Sequence, residues 1–254
     1  MKADVLIKWC CIGLLTLAFA GCKPSYQSGE LFAQFLRANT AYKAGDYDAA
    51  LRLYEDITEK GYVSAAVFYN VGNCMMKKNQ LGAALVWYER ALRLAPRDAD
   101  LRANWLYARS MIKNPELSAP TQWTDRMFVH LDHFAEDEII MVLCLLLSAI
   151  SLLILAGLFW GWRFRKTIFL IVILSLIFIF HVFAFFAKIE NLSGRAILLS
   201  SVEVKYEPED SATTHFMGYE GWKVRILKES SGWVKIERPD GLAGWVAKDR
   251  LQRI

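Results

Sequence analysis

The spacing of apolar residues changes character several times along the chain. From Ile139 to Trp162, and again from Thr167 to Ala187, no charged side chain appears. Each run can cross a hydrocarbon core of about 30 Å at about 1.5 Å per helical residue. A stretch such as "VLCLLLSAISLLILAGLFW" is too evenly apolar for the one-sided helix of a soluble domain. The pattern predicts a membrane hairpin, with spans 139–162 and 167–187 around a short loop, 163–166. A shorter apolar run, "WCCIGLLTLAFAGC", has Lys2 and Lys8 about its start and ends in small residues, which is the build of a signal peptide over 1–21. Ahead of the first span, Trp123, Met127, Phe128, Leu131 and Phe134 fall on one helical face. That stripe predicts a helix lying in the membrane interface, within a linker over 114–138. After Asn191 the pattern turns to short alternating runs broken by turns, a β signal. Val202–Val204, "WKVRILKE", "GWVKIER" and "LAGWVAKD" read as strands, with Pro239, Asp240 and Gly241 turning between the last two and a short helical turn at Ala247 to Arg250.

The remaining segment repeats itself. A shift of 34 residues aligns Asn39 with Asn73, Ala50 with Ala84, Leu51 with Leu85, Tyr54 with Tyr88 and Glu55 with Glu89, and it sets Ala38 against Gly72. A period of about 34, with small residues where two helices touch, belongs to the tetratricopeptide pattern. "ANTAYKAGDYDAALRLYE" and "VGNCMMKKNQLGAALVWYERALRLAP" resemble that family, with Pro96 closing the second unit. The resemblance implies two antiparallel helix pairs, 31–64 and 65–98, whose first helices end near Gly45 and Asn79. A further helix, Ala99 to about Ile112, carries the stripe Leu101, Trp105, Ala108 and Ile112 and suits a cap over the open end, so that the repeat domain spans 31–113.

By that resemblance the first helix of each pair lines a groove for peptides or protein segments, with Asn39, Tyr42, Asn70, Asn73 and Asn104 facing it. The family's carboxylate-clamping version has basic residues where this chain has Phe35, Asp100 and Asn104, so a clamp is not expected. An equal reading is that the asparagines cap and bridge helices. Farther on, the pairing of Gly232-Trp233-Val234 with Gly244-Trp245-Val246 resembles bacterial SH3-like domains, over 194–254. This implies a small barrel that binds wall peptides or proteins. Tyr206, Trp222, Trp233 and Trp245 are its aromatic surface candidates, with packing as the alternative role. The fold class expected is therefore multi-domain: an all-α tetratricopeptide solenoid, a two-helix membrane hairpin and a small all-β SH3-like barrel.

Charge orients these parts. Arg163, Arg165 and Lys166 lie in the loop between the spans, and cationic loops stay cytoplasmic. Glu136, Asp137 and Glu138 precede the first span, which fits the opposite side. The signal at the start asks for the same topology, with both soluble domains outside the cytoplasm. The ending Phe19-Ala20-Gly21-Cys22 resembles a bacterial lipoprotein signal, which implies lipidation at Cys22, with ordinary cleavage or an uncleaved anchor as alternatives.

Composition removes several functions. The net charge of +4 on 254 residues is small and dispersed, so nucleic acid is not an expected partner. Of five cysteines, Cys10 and Cys11 lie in the signal and Cys144 in the first span, which leaves Cys74 in a soluble domain, expected to be a small buried side chain. No C-x-x-C, Walker loop or histidine–glutamate metal motif occurs. His130 and His133 lack a third ligand, and His181 falls inside the second run, where bonding to a neighbouring helix is as good a reading as function. No cofactor, metal or catalytic residue is expected, and the protein is not expected to be an enzyme.

The order of parts resembles BatE-type proteins of the bacterial aerotolerance (Bat) family. That resemblance implies a non-catalytic scaffold in the inner membrane, working beside membrane-anchored von Willebrand A-type Bat proteins. The alternatives are a protein tethered to peptidoglycan through the SH3-like domain, and an assembly factor holding client segments in the repeat groove.

Overall fold

In the computed structural model, residues 28–114, 134–160 and 165–254 are described. The signal segment with Cys22, the greater part of the interfacial stripe, His130, His133 and Arg163 lie outside them. Arg165 and Lys166 open a helix.

Five helices form the repeat body: α1 (Ser28–Lys43), α2 (Tyr47–Glu59), α3 (Ala65–Lys77), α4 (Leu81–Leu94) and α5 (Ala99–Ser110). The turn inside each pair needs a left-handed residue, and the period supplies one at the same place: Gly45 at φ 81° and Asn79 at φ 58°. Small residues then set the packing. A Cβ on Gly72 would stand 2.6 Å from the Tyr88 ring, so glycine makes the room that Tyr88 fills; Ala38 and Tyr54, the equivalent pair one repeat earlier, are both fully buried. Asp46 caps α2 by accepting from the Ala49 amide at 2.9 Å, and Asp98 caps α5 by accepting from Leu101 at 2.9 Å. At the start of α4 the equivalent residue, Gln80, makes no such bond.

Two long helices follow, α6 (Glu136–Trp160) and α7 (Arg165–Ser193), reaching beyond the bounds expected from the sequence at the ends nearest the soluble body. Glu138–Gly157 and Ile168–Ile189 have mean hydropathies of 3.1 and 3.0, and only 6% and 0% of those stretches are buried. Both are long and apolar enough to cross a membrane, and among the described residues nothing covers them as a soluble core would. Their outer ends lie together: Lys188 Nζ donates to the Phe134 carbonyl at 2.6 Å, and Arg97 in the α4–α5 turn pairs with Glu138.

The C-terminal segment is one antiparallel sheet in the order β3-β2-β6-β5-β4-β1-β7. Its strands are β1 (Arg195–Leu198), β2 (Val202–Lys205), β3 (Thr214–Gly218), β4 (Lys223–Ser230), β5 (Trp233–Glu237), β6 (Ala243–Ala247) and β7 (Leu251–Arg253), with a 3-10 turn at Lys248–Arg250. The expected barrel does not close, because outer strands β3 and β7 are not paired with each other. The β7 edge is instead occupied by the repeat body. Arg90 donates to the Arg253 carbonyl at 2.9 Å and Arg93 to that of Ile254 at 3.5 Å, both from α4. Val204, Val234, Ile236 and Val246 form the sheet's buried face, alternating with Lys235, Trp245 and their neighbours on the other.

The repeats and the sheet share one core. Leu85, Ile112, Ile197, Leu198 and Trp222 join the buried residues of the helix pairs to those of the sheet without a break.

Candidate functional site

The face made by α1, α3 and α5 carries the repeated asparagines. The Asn39 Oδ1 accepts from the Tyr54 hydroxyl at 2.5 Å and from Asn70 Nδ2 at 3.0 Å. One repeat later Asn73 Oδ1 accepts from the Tyr88 hydroxyl at 2.7 Å and from Asn104 Nδ2 at 3.0 Å. Asn104 Nδ2 also donates to the Tyr69 hydroxyl at 2.7 Å. Each rung ties a buried tyrosine of one helix to an asparagine of the next first helix, so the amides do bridge helices. Burial pushes the Tyr54 hydroxyl up to about 12 and raises that of Tyr88 as well, so both remain neutral donors. The Nδ2 groups of Asn39 and Asn73 have no partner among the described residues.

Around these rungs the surface is apolar. Phe32 and Leu36, 62% and 48% exposed, continue the Asn39 stripe of α1. Tyr107 and Met111, 64% and 53% exposed, continue the Asn104 stripe at the other end. Tyr42 is less available than expected, since its ring stands edge-on to Tyr47 at 5.4 Å and burial raises its hydroxyl pKa. Phe35 turns toward the Tyr54 ring at 5.9 Å, and Asp100 is exposed, so this face presents amides between apolar ends and no basic clamp.

The sheet contacts α4 and the end of α5. Lys223 Nζ donates to Glu89 at 2.9 Å, and the Trp105 indole donates to the other oxygen of the same carboxylate at 3.1 Å. Burial alone would raise this carboxyl; the Lys223 charge and hydrogen bond, with Trp105 and Arg195, outweigh it and hold it below the usual range. Glu220 accepts from the Gly82 amide at 2.8 Å, and so supplies from the sheet the cap that Gln80 does not give α4. Gly82 is required there, because a Cβ would lie 2.4 Å from the Leu198 carbonyl oxygen.

The aromatic surface candidates divide. Trp222 is a correction: it is 1% exposed, and its indole donates to the Lys113 carbonyl at 2.8 Å, so it belongs to the junction with the repeats. Tyr206 is 57% exposed and stacks on His215 at 4.1 Å, while Trp233 and Trp245 are half-buried on the outer face of the sheet. His181 satisfies itself within α7, its Nδ1 lying 2.8 Å from the Ile177 carbonyl. The junction residues Gly82, Glu89 and Glu220 carried no signal of their own in the sequence, beyond the missing cap at Gln80.

Residues 35–99 match the family model of the tetratricopeptide repeat. The match begins inside α1, runs through both helix pairs and stops at the first residue of α5, leaving the apolar helices and the sheet outside it. A search of curated proteins gave no match to the chain. Tetratricopeptide repeats are typically non-catalytic and serve as scaffolds for protein–protein interaction. The sheet leaves the amide-and-apolar face of α1, α3 and α5 uncovered.

Proposed function

We propose that this protein is a membrane-anchored scaffold of the bacterial envelope that holds a segment of a partner protein on the α1–α3–α5 face. The single observation that carries this reading is the set of asparagine rungs between exposed apolar ends, with the sheet docked on the other side. An extended segment laid across it would bury side chains against Phe32, Leu36, Tyr107 and Met111 and give its carbonyls to the free amides. Helices α6 and α7 are read as spans, with the Arg163, Arg165 and Lys166 loop in the cytoplasm. The packing of the sheet on the repeats supports this. Contacting surfaces cannot stand on opposite sides of a bilayer, so the segments before α6 and after α7 share one side. Partners of the von Willebrand A-type Bat class, bound to the same membrane, fit the reading because tethering raises their effective concentration.

The test is site-specific photocrosslinking from the full chain in cells, with the probe at Leu36, at Tyr107 and, as a control, at Glu59. Adducts to membrane proteins with von Willebrand A domains from the first two sites, lost in Leu36→Asp without a change in thermal unfolding, are the expected result. Equal adducts from all three sites, or adducts to wall fragments alone, would defeat the proposal.

A further inference from the structure

On the outer face of the sheet, one row of cross-strand neighbours runs over β4, β5, β6 and β2: Lys228 opposite Lys235, Lys235 opposite Trp245, and Trp245 opposite Lys205. Like charges placed directly opposite each other on a sheet are destabilising. Yet neither Lys228 nor Lys235 has an acidic partner among the described residues. The next row on each side differs. Glu237 pairs with Arg225 in one, and Trp233 lies opposite Ala247 in the other. Glu229, the acid in the same hairpin, is already bonded to Lys248 at 2.8 Å and Arg253 at 2.5 Å. A β-bulge at Leu227 adds an exposed apolar residue beside this pair.

The register fixes where this row lies. β1 is antiparallel to β4 with Arg195 opposite Arg225, and the Ile226 amide donates to the Gly194 carbonyl at 2.7 Å. Following β4 forward from Arg225 therefore follows the chain backward toward α7. From Ile226 to Ser230 the strand advances about 13 Å at about 3.3 Å per residue. Helix α7 continues from Ile189 to Ser193, which is about 6 Å at about 1.5 Å per residue. A bilayer's headgroup layer is about 5–7 Å deep on each side. The β4–β5 hairpin, with Leu227, Lys228, Trp233 and Lys235, thus lies on the side of the sheet toward α7, and tryptophan is at home at either membrane interface.

We infer that the β4–β5 hairpin is a lipid-docking surface for anionic phospholipid headgroups, with Lys228 and Lys235 holding phosphate and Trp233 and Leu227 entering the interface. The inference rests on the reading of α6 and α7 as spans. Phosphate between the two ammonium groups removes their repulsion, and seating the hairpin fixes the sheet, and with it the repeat face, relative to the bilayer.

The test uses the full chain in nanodiscs of phosphatidylcholine alone or of phosphatidylcholine with phosphatidylglycerol, read by hydrogen exchange. Each lysine near an anionic surface contributes about fivefold to binding, so the pair contributes up to about 25-fold. Expected is slower exchange over residues 227–235 in the phosphatidylglycerol discs, by up to that factor, weakened by salt and abolished in Lys228→Gln/Lys235→Gln. Trp233→Ala, which leaves both charges in place, loses part of the effect. Equal exchange in the two kinds of disc, or an effect that survives the double substitution, overturns the inference. So does slowing by soluble wall fragments where phosphatidylglycerol gives none, which would assign the row to a wall polymer. Amides of Ile168–Ile189 report the span reading separately. If they are protected in both discs while the hairpin is indifferent to lipid, only the docking fails. If they exchange freely, the spans fall and the docking falls with them.

Discussion

Replacing Gly82 by alanine sets helix propensity against the junction. Gly82 lies in the first turn of α4, where alanine is the better helix former by up to about 1 kcal/mol. Its new Cβ would stand 2.4 Å from the Leu198 carbonyl oxygen and 2.8 Å from the Leu199 Cα. Both are backbone atoms and cannot swing aside, so the sheet must lift from α4. Overpacking of this kind costs about 1–3 kcal/mol, and the charged bond from the Gly82 amide to Glu220 stretches with it, for a total of about 2–4 kcal/mol against docking. Hydrogen exchange on the full chain separates the two effects. Protection over Leu198, Leu199 and Tyr219–Trp222 should fall by orders of magnitude while α1 and α2 exchange as before. Glu220→Gln keeps an acceptor but loses the charge, and should cost about 1 kcal/mol in the same places. Unchanged exchange at Leu198–Leu199 in Gly82→Ala would refute the junction. Equal loss across all five repeat helices would refute the idea that it is a junction separable from the repeat fold.

Other substitutions follow from the same geometry. Asn73→Ala leaves the buried Tyr88 hydroxyl without its acceptor and should cost about 1–3 kcal/mol in urea unfolding, whereas Asn104→Ala removes only donors and should cost less than about 1 kcal/mol. Glu89→Gln takes the charge from a pair whose side chains are 16% and 27% exposed, and should weaken the junction by about 1–3 kcal/mol at neutral pH. Because the Glu89 carboxyl is held low in the folded state, its contribution is present above the ordinary glutamate range and lost as pH falls through the folded value. Protection at Trp222, taken relative to the intrinsic exchange rate at each pH, should therefore fall in acid in the unsubstituted chain, and that component should be missing in Glu89→Gln. Burial pushes the Cys74 thiol up to about 11, so a charged maleimide at pH 8 should leave Cys74 unmodified until denaturant opens α3, as read by peptide mass.

The helix pairs were legible because their signal is local and repeated. The same 34-residue step that aligns Asn39 with Asn73 places Gly45 and Asn79 in the left-handed turns and Tyr54 and Tyr88 under the asparagines. The docking of the sheet had no such periodicity. Glu55 and Glu89 occupy the same repeat position, yet burial and Glu59 raise the carboxyl of one while Lys223 brings the other down. Nothing in the repeat itself distinguishes them, since the deciding lysine lies far along the chain, beyond both apolar runs. The choice between surface and packing for Trp222 was open in the sequence for a related reason. A tryptophan just before a strand looks the same in sequence whether its indole meets a ligand or, as here, the carbonyl of Lys113. Strands β1, β3 and β7 leave little trace in the sequence because each is short and is completed by neighbours rather than by its own alternation.

That junction also explains how so short a repeat array holds together. Two pairs and a cap leave the outer face of α4 with Leu85 to cover and an uncapped first turn, and solenoids need their ends closed. The sheet supplies both the cover and the cap, but it can reach α4 only after the chain has run out along α6 and back along α7. The hairpin therefore sits inside a closed loop, fastened at one end by Glu89, Trp222 and Glu220 and braced at the other by Lys188 on Phe134 and Arg97 on Glu138. If the two helices span a membrane, a change in their separation or tilt pulls on α4 from one side while the face of α1, α3 and α5 stays open on the other. A partner bound there is then joined to the bilayer through packed side chains rather than through a slack linker.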